Sequence, residues 1–464
     1  MRLKRILDSG KPVYGVNTGF GDNVRYRISG EDLGRLQENI LRSHTCGMGQ
    51  AMPREQVRAL FLMLLVKIGF GCSGVRPEYA LLARDFLNLG LTPYVPNEGS
   101  IGSLSCQPYA ALTLIGESRF IDGDDLVPAK EMLASHGLEP ILPGAKEGFA
   151  LISSMRPSLG PALLALYDTV DAVRHAYVGV SFVCEALRCT DRHFDARLIA
   201  QKKHPESIKN AAWVRAALSG SEIMEHARNN KVQDCTAVRM MPHLFGVVIR
   251  QIKEAYAALM EKYESVSDNP VFLPDGTALM GAGWDESYIA SYCDALAVPL
   301  GILAKEIETF MERLVDPKLS GLPPFLVKNA GLSNGFMLVQ YATAGFCADI
   351  ANAGTPASSY HVIVSAGQEA PVLRSDSVAC KLCDIAERLG NMVTLTIMTA
   401  AQAMDFIEEK PSTVNAAAHD KLRESVSFME NDDLMYERIE ATEKVIASGA
   451  LLEIFERALG DFPI

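Results

Sequence analysis

The chain has 464 residues, 48% of them hydrophobic and 22% charged, a balance that supplies a large buried core and excludes a disordered chain. A formal net charge of −12 excludes nucleic acid or an anionic membrane surface as the main partner, but still allows an anionic small molecule held by a local cation. Ten cysteines, with no apolar run behind the opening MRLKRILDSG, lead to the expectation of reduced thiols in a cytoplasmic protein without a secretory leader.

Read from the N-terminus, a loop at 10–24 carries PVYGVNTGFGDN, and Val57, Leu60, Phe61, Leu64, Leu65 and Ile68 then share one helical face. The longest apolar run, 59–66, is too short to span a bilayer, so no membrane partner is expected. A second loop, 93–108, contains GSIGSLSCQP. Residues 1–145 are expected to form a loop-rich N-terminal region, and 146–464 a long-helix bundle with a C-terminal helical region. Phe245, Ile249, Ile252, Tyr256, Leu259 and Tyr263 step by three and four. So do Ile289, Cys293, Leu296, Leu300, Leu303, Ile307, Phe310 and Leu314, in a helix where Pro299 removes one backbone donor. Leu382, Ile385, Leu389 and Met392 begin another seam. Seams of this length predict a mainly α, elongated bundle that packs against copies of itself. The loops at 10–24, 93–108, 264–284 and 316–334 are expected to build any active site. Cys380 and Cys383 form a C-x-x-C without a second pair, and no metal or phosphate-binding motif occurs, so no metal and no cofactor are expected.

The segments PVYGVNTGFGDN (12–23), SHTCGMG (43–49), KEGFALIS (146–153), QDCTAVRMMPHLFG (233–246), SVSDNP (265–270), GLPPFL (321–326), GLSNGFM (331–337) and SAGQEA (365–370) occur in an order that resembles the aromatic amino acid ammonia-lyase family, histidine ammonia-lyases above all. The resemblance implies an elongated helical bundle of the ammonia-lyase and fumarase-like type. It also implies a homotetramer whose subunits share loop-built active sites, and a small carboxylate substrate. Relatives carry more sequence ahead of the first motif, so a short N-terminal element is expected to be missing or replaced here.

In that family an Ala-Ser-Gly tripeptide cyclises to an electrophilic methylidene-imidazolone. The ring needs a central Ser, whose side chain becomes the methylidene, and an unhindered Gly nitrogen to close it. Depending on the flank used for alignment, the position here reads Ser103-Leu104-Ser105 or Ser100-Ile101-Gly102, and no Ser followed by Gly lies between Asn97 and Tyr109. The positions that surround the group in relatives differ as well. Ser153 stands for Asn, Thr236 for Tyr, and GAGWD (281–285) for Gly-Asn-Phe-His-Gly.

Other family positions persist. The resemblance makes Tyr14 the catalytic base, the alternative being a buried tyrosine with one hydrogen bond. A phenol that titrates near 10 needs a cation or several donors to act at neutral pH. Arg239 matches the guanidinium that grips the substrate carboxylate, or else forms a structural ion pair, and Gln233 is a supporting donor. His44 corresponds to a histidine near the ring-binding end, or is a satisfied core residue. Gln368 and Glu369 match a Gln-Glu pair in which the carboxylate faces an imidazole N–H. The residues after that pair are Ala370-Pro371 instead of Asp-His. Asn17 and Asn269 are read as turn residues, and Ser103, Ser105 and Cys106 as polar groups new to the pocket loop.

A retained base and anion clamp without the electrophile fit a leaving group that carries its own fixed charge. The expected reaction is β-elimination of trimethylamine from a histidine-derived betaine, similar to that of ergothionases, relatives of histidine ammonia-lyase that lack the prosthetic group. Two other readings stay open: an ammonia-lyase or aminomutase with a different electrophile, and an inactive homologue that serves in binding or assembly.

Overall fold

The computed structural model describes every residue except Met1, Ser100, Gly102, Ser103, Ser105 and Arg156, together with the side chains of Arg2 and Ser154. The readings of Ser103 and Ser105 as pocket groups, and of both tripeptide registers, fall on residues outside that description. The fold is mainly helical. Its frame is four helices, Leu159–Ala186, Thr236–Tyr263, Ser287–Val315 and Ser375–Met404, of 28 to 30 residues each. The seam read from Ile289 to Leu314 is buried at every position, and the helix runs unbroken through Pro299. Ser287–Val315 is the one helix among the described residues long and apolar enough to cross a membrane, and 56% of its most apolar window is buried inside the protein, as in a core helix. Along Thr236–Tyr263 the apolar period holds except at Tyr256, which is 55% exposed.

The chain forms two compact units. The first comprises Met1–Ala165, Tyr256–Asp294 and Pro356–Lys381. Its core joins the helices Leu33–Ser43, Arg54–Gly69, Pro77–Leu89, Gln107–Leu114 and Glu147–Ser154 through Leu41, Leu60, Phe61, Leu64, Phe86 and Leu151, all 1% exposed or less. Among the described residues four small antiparallel sheets edge this unit, one of them a hairpin pairing His361–Val364 with Glu369–Leu373. The second unit comprises Leu166–Ala255, Ala295–Thr355 and Leu382–Ile464. There Trp213 stacks on Phe455 and Phe462, and a buried Glu185 accepts hydrogen bonds from Ser221 Oγ, Ser412 N and Asn415 Nδ2.

Two buried lysines fix the loops of the first unit. Lys67, 3% exposed, donates to the carbonyls of Lys262, Tyr263 and Ser265 at 2.9, 2.6 and 2.8 Å, placing a cation on the C-terminal end of the helix Thr236–Tyr263. Lys146, fully buried, pairs with Asp268 Oδ1 at 2.7 Å and lies 4.6 Å from the Phe149 ring centroid. The loop between Ser265 and Pro270 is thereby held from both ends.

Candidate active site

Tyr14 sits in a loop that its own side chains close. Asn17 Oδ1 accepts from Val13 N at 2.8 Å while Asn17 Nδ2 donates to Lys11 O, which is the turn-forming role read from its sequence. Gln37, buried in the helix Leu33–Ser43, donates to Gly15 O at 3.0 Å and accepts from Phe149 N at 2.9 Å, so one amide joins this loop to the helix Glu147–Ser154. The Tyr14 ring meets Phe20 and Phe149 edge to face at centroid distances of 6.2 and 5.7 Å. Its hydroxyl accepts the Gly21 amide at 3.0 Å. Burial lifts the phenol above its ordinary value; the Gly21 bond opposes this and the Glu369 carboxylate adds to it.

Glu369 opens the return strand of the hairpin His361–Val364 and Glu369–Leu373. Ahead of it Ser365, Ala366 and Gly367 are all left-handed, with φ of 54°, 54° and 84°. Two non-glycine residues in that region are a local strain, and here they sit immediately beside the cavity. Burial raises the Glu369 carboxyl above the usual carboxylate range.

Two cavities meet at this point. One, of about 780 Å³, is lined by Tyr14, Asn269, Trp284, Glu286, Gln368 and Glu369 among others. The other, of about 570 Å³, shares Tyr14, Asn269, Trp284 and Glu369 and extends to His44, Phe149 and Ser153. Carboxylates from Asp285, Glu286 and Glu369 line them, and among the described residues no Lys or Arg does. Glu286, 4% exposed, accepts from the hydroxyls of Ser375, at 2.7 Å, and Ser158. His44 follows the helix Leu33–Ser43, with Nδ1 3.0 Å from Ser43 Oγ, and burial lowers its pKa, favouring the neutral ring.

Tyr14, His44, Gln368 and Glu369 are thus brought together. Of the four loops expected to build the site, 10–24, 93–108 and 264–284 contribute lining residues; none comes from 316–334. Arg239 and Gln233 belong to the second unit. Gln233 is exposed there, while Arg239 is half-buried, donates to Thr236 Oγ1 at 3.2 Å and keeps an Nε without a hydrogen-bond partner. Cys106 is buried just ahead of the helix Gln107–Leu114. The residues that sequence reasoning missed are Gln37, Lys146, Ser365, Trp284 and Glu286. Lys146, Ser365 and Trp284 had a signal, as parts of the segments KEGFALIS, SAGQEA and GAGWD.

Residues 1–424 match the family described as aromatic amino acid lyase. The chain is 36% identical over 465 residues to a histidine ammonia-lyase of Sorangium cellulosum, covering 98% of this chain and 90% of that one. Its fold is similar to the crystal structure of a histidine ammonia-lyase from Trypanosoma cruzi, with a TM-score of 0.91 and 27% identity over 98% of this chain and 87% of that one. It is also similar to the ergothioneine degrading enzyme ergothionase from Treponema denticola, with a TM-score of 0.88 and 24% identity over 97% and 92% of the two chains. At that identity the second likeness is one of fold.

Proposed function

The chain belongs to the aromatic amino acid lyase family, a family of carbon–nitrogen lyases, and from that premise we propose that it eliminates trimethylamine from a histidine-derived betaine of the ergothioneine type. The observation that carries this reading is a cavity that keeps the tyrosine of the base motif, is lined by carboxylates and, among the described residues, has no lysine or arginine on its wall. Such a wall favours a substrate that brings positive charge.

The family's methylidene-imidazolone does not fit the residues present. No Ser followed by Gly lies between Asn97 and Tyr109, and the described positions of that stretch include the bulky Ile101 and Leu104. No step is assigned to it. In the proposed reaction Tyr14, as phenolate, takes a proton from the β-carbon. The freed electron pair forms the Cα–Cβ double bond, and the Cα–N bond breaks toward nitrogen. Trimethylamine departs neutral, because its nitrogen was a fixed cation before the bond broke. A primary amine has to be kept protonated to leave in the same way, which is the difficulty an electrophile relieves. The substrate cation also lowers the Tyr14 pKa once bound beside it, so the substrate helps to make its own base. His44 and Glu369 are assigned to the imidazole ring with Gln368 in support, and Arg239 with Gln233 to the carboxylate.

The protein is proposed to act as a cytoplasmic homotetramer whose subunits share active sites. Association is supported by apolar side chains left exposed on the helices Ser287–Val315 and Met337–Ala353, including Tyr288 at 62%, Leu338 at 61% and Tyr341 at 67%. Purified protein incubated with ergothioneine, histidine trimethylbetaine and histidine tests the reaction. Trimethylamine and a new conjugated chromophore are expected from the betaines, and finding neither overturns the proposal. The identity to a histidine ammonia-lyase favours a second reading, release of ammonia from histidine, which the third substrate tests in the same assay.

A further inference from the structure

The loop 281–285 is fixed at each step. Gly281 N donates to Asn269 Oδ1 at 3.0 Å, and Asp285 N donates to Ala282 O at 2.9 Å. Lys262 Nζ reaches the carbonyl of Gly283 at 3.3 Å and that of Asp285 as well, clamping the backbone on either side of Trp284. Gly283 packs so close to the Asp268 carbonyl that a Cβ there would lie 2.3 Å from the oxygen. The residue held between these clamps is 37% exposed, and it lines both cavities together with Tyr14 and Glu369.

An indole at the junction of two cavities, on a wall that carries carboxylates and, among the described residues, no lysine or arginine, has a specific use. A primary ammonium carries three N–H donors and is satisfied by oxygen acceptors. A quaternary ammonium has none, so it is recognised by an aromatic face and a diffuse negative field. We propose that Trp284 is the specificity-determining residue for a quaternary ammonium head group, its indole face taking the trimethylated nitrogen while the carboxylates of the cavity wall supply a diffuse negative field. This rests on the reading of the substrate as a betaine and adds which residue distinguishes it from an amino acid. The rigid loop matters here because a preset ring loses little freedom when the cation docks.

The test uses the full-length chain and a pair of probes of equal shape. Glycine betaine and 3,3-dimethylbutanoate differ only in a quaternary nitrogen against a quaternary carbon. The chain has two tryptophans, and Trp213 is buried between Phe455 and Phe462, so Trp213→Phe leaves Trp284 as the sole reporter. Glycine betaine is expected to change Trp284 emission saturably and to bind about fivefold or more tightly than its carbon isostere. By calorimetry, Trp284→Tyr should keep that preference and Trp284→Leu should reduce it to within about twofold, with matching thermal midpoints showing that both variants fold. The same leucine variant should raise KM for a trimethylated substrate.

The failures are distinguishable. Charge preference at Trp284 without trimethylamine release overturns the proposed reaction and leaves the binding role. Trimethylamine release with an unchanged KM and preference in Trp284→Leu overturns the role of Trp284 and leaves the reaction. Absence of any emission change at saturating betaine also overturns it.

Discussion

Gly21 lies against Ser365: a Cβ built on Gly21 would sit 2.5 Å from the Ser365 hydroxyl oxygen. The same glycine, at φ +54°, donates its amide to the Tyr14 hydroxyl. One residue therefore ties the Tyr14 loop to the left-handed turn that precedes Glu369. Gly21→Ala meets both a backbone cost of about 1–2 kcal/mol and this contact, and relieving either one moves the amide away from Tyr14. We expect kcat/KM to fall about 10–100-fold, the size of effect small misplacements have on catalysis. Ser365→Ala removes the oxygen but not the backbone cost, so the double variant should regain part of the loss. Steady-state kinetics on the four proteins of the cycle check it, and full additivity would contradict the contact.

The pH profile follows from the environment of Tyr14. A base must be deprotonated, and burial together with Glu369 raises the phenol, so activity should climb as pH rises through an alkaline limb. Replacing Glu369 by Gln removes the neighbouring negative charge and should move the limb of kcat/KM to lower pH, even as the loss of a substrate contact lowers its plateau. In wild type, the limb of kcat should lie below that of kcat/KM, because the bound cation favours the phenolate. Tyr14→Phe should abolish turnover without altering the thermal midpoint. A limb that stays in place in Glu369→Gln would separate the two groups functionally.

Much of this was legible in the sequence, for identifiable reasons. Helical periodicity marks burial directly, so the seam from Ile289 to Leu314 could be read residue by residue. Motif order revealed the family, and with it the cavity position of Tyr14, His44 and Glu369. What could not be read are contacts between segments far apart in the chain. Gln37 is one polar residue on an amphipathic helix, and nothing local says that its amide spans Gly15 and Phe149. Lys146 and Asp268 are 122 positions apart, and each alone reads as a surface charge. The clamp on Trp284 needs Lys262, whose place at a helix C-terminus suggests only a favourable dipole contact.

That Lys146–Asp268 pair is expected to matter more broken than absent. Its side chains are 0% and 2% exposed, and burial pulls the lysine pKa down against the pull of its partner. Lys146→Met leaves a buried carboxylate without its cation and should cost about 3–5 kcal/mol. Combining it with Asp268→Asn removes the stranded charge and should recover much of the loss, while the amide oxygen can still accept from Asn269 N, as Asp268 Oδ1 does at 2.7 Å. Chemical denaturation of the single and double variants measures the difference. Equal destabilisation would mean that the pair contributes through packing alone.

Arg239 offers a separate test of substrate polarity. Its Nε has no hydrogen-bond partner and its Nη2 reaches only Thr236 Oγ1, at 3.2 Å, so the guanidinium retains donors for a carboxylate. Arg239→Ala should raise KM by roughly 30-fold or more, corresponding to about 2 kcal/mol or more for truncating a charged hydrogen-bonded partner. Arg239→Lys should restore little, since an ammonium lacks the paired planar donors. The methyl ester of the substrate should respond far less to either change. An ester as sensitive as the acid would show that Arg239 acts on the fold and not on the carboxylate.

The altered stretch around Ile101 and Leu104 makes a prediction about covalent chemistry. Ring closure of a tripeptide expels water, so a chain bearing the family's prosthetic group is lighter than its sequence requires. Intact-protein mass spectrometry is expected to return the unmodified mass. Borohydride, which adds to an electrophilic methylidene, should then leave the rate of amine release unchanged, because Tyr14 and a substrate with a permanent charge need no acceptor for the leaving nitrogen. A mass deficit equal to two waters, one from ring closure and one from forming the methylidene, with inactivation by borohydride, would mean that an electrophile forms by another route, and the reaction would have to be reassigned to ammonia release.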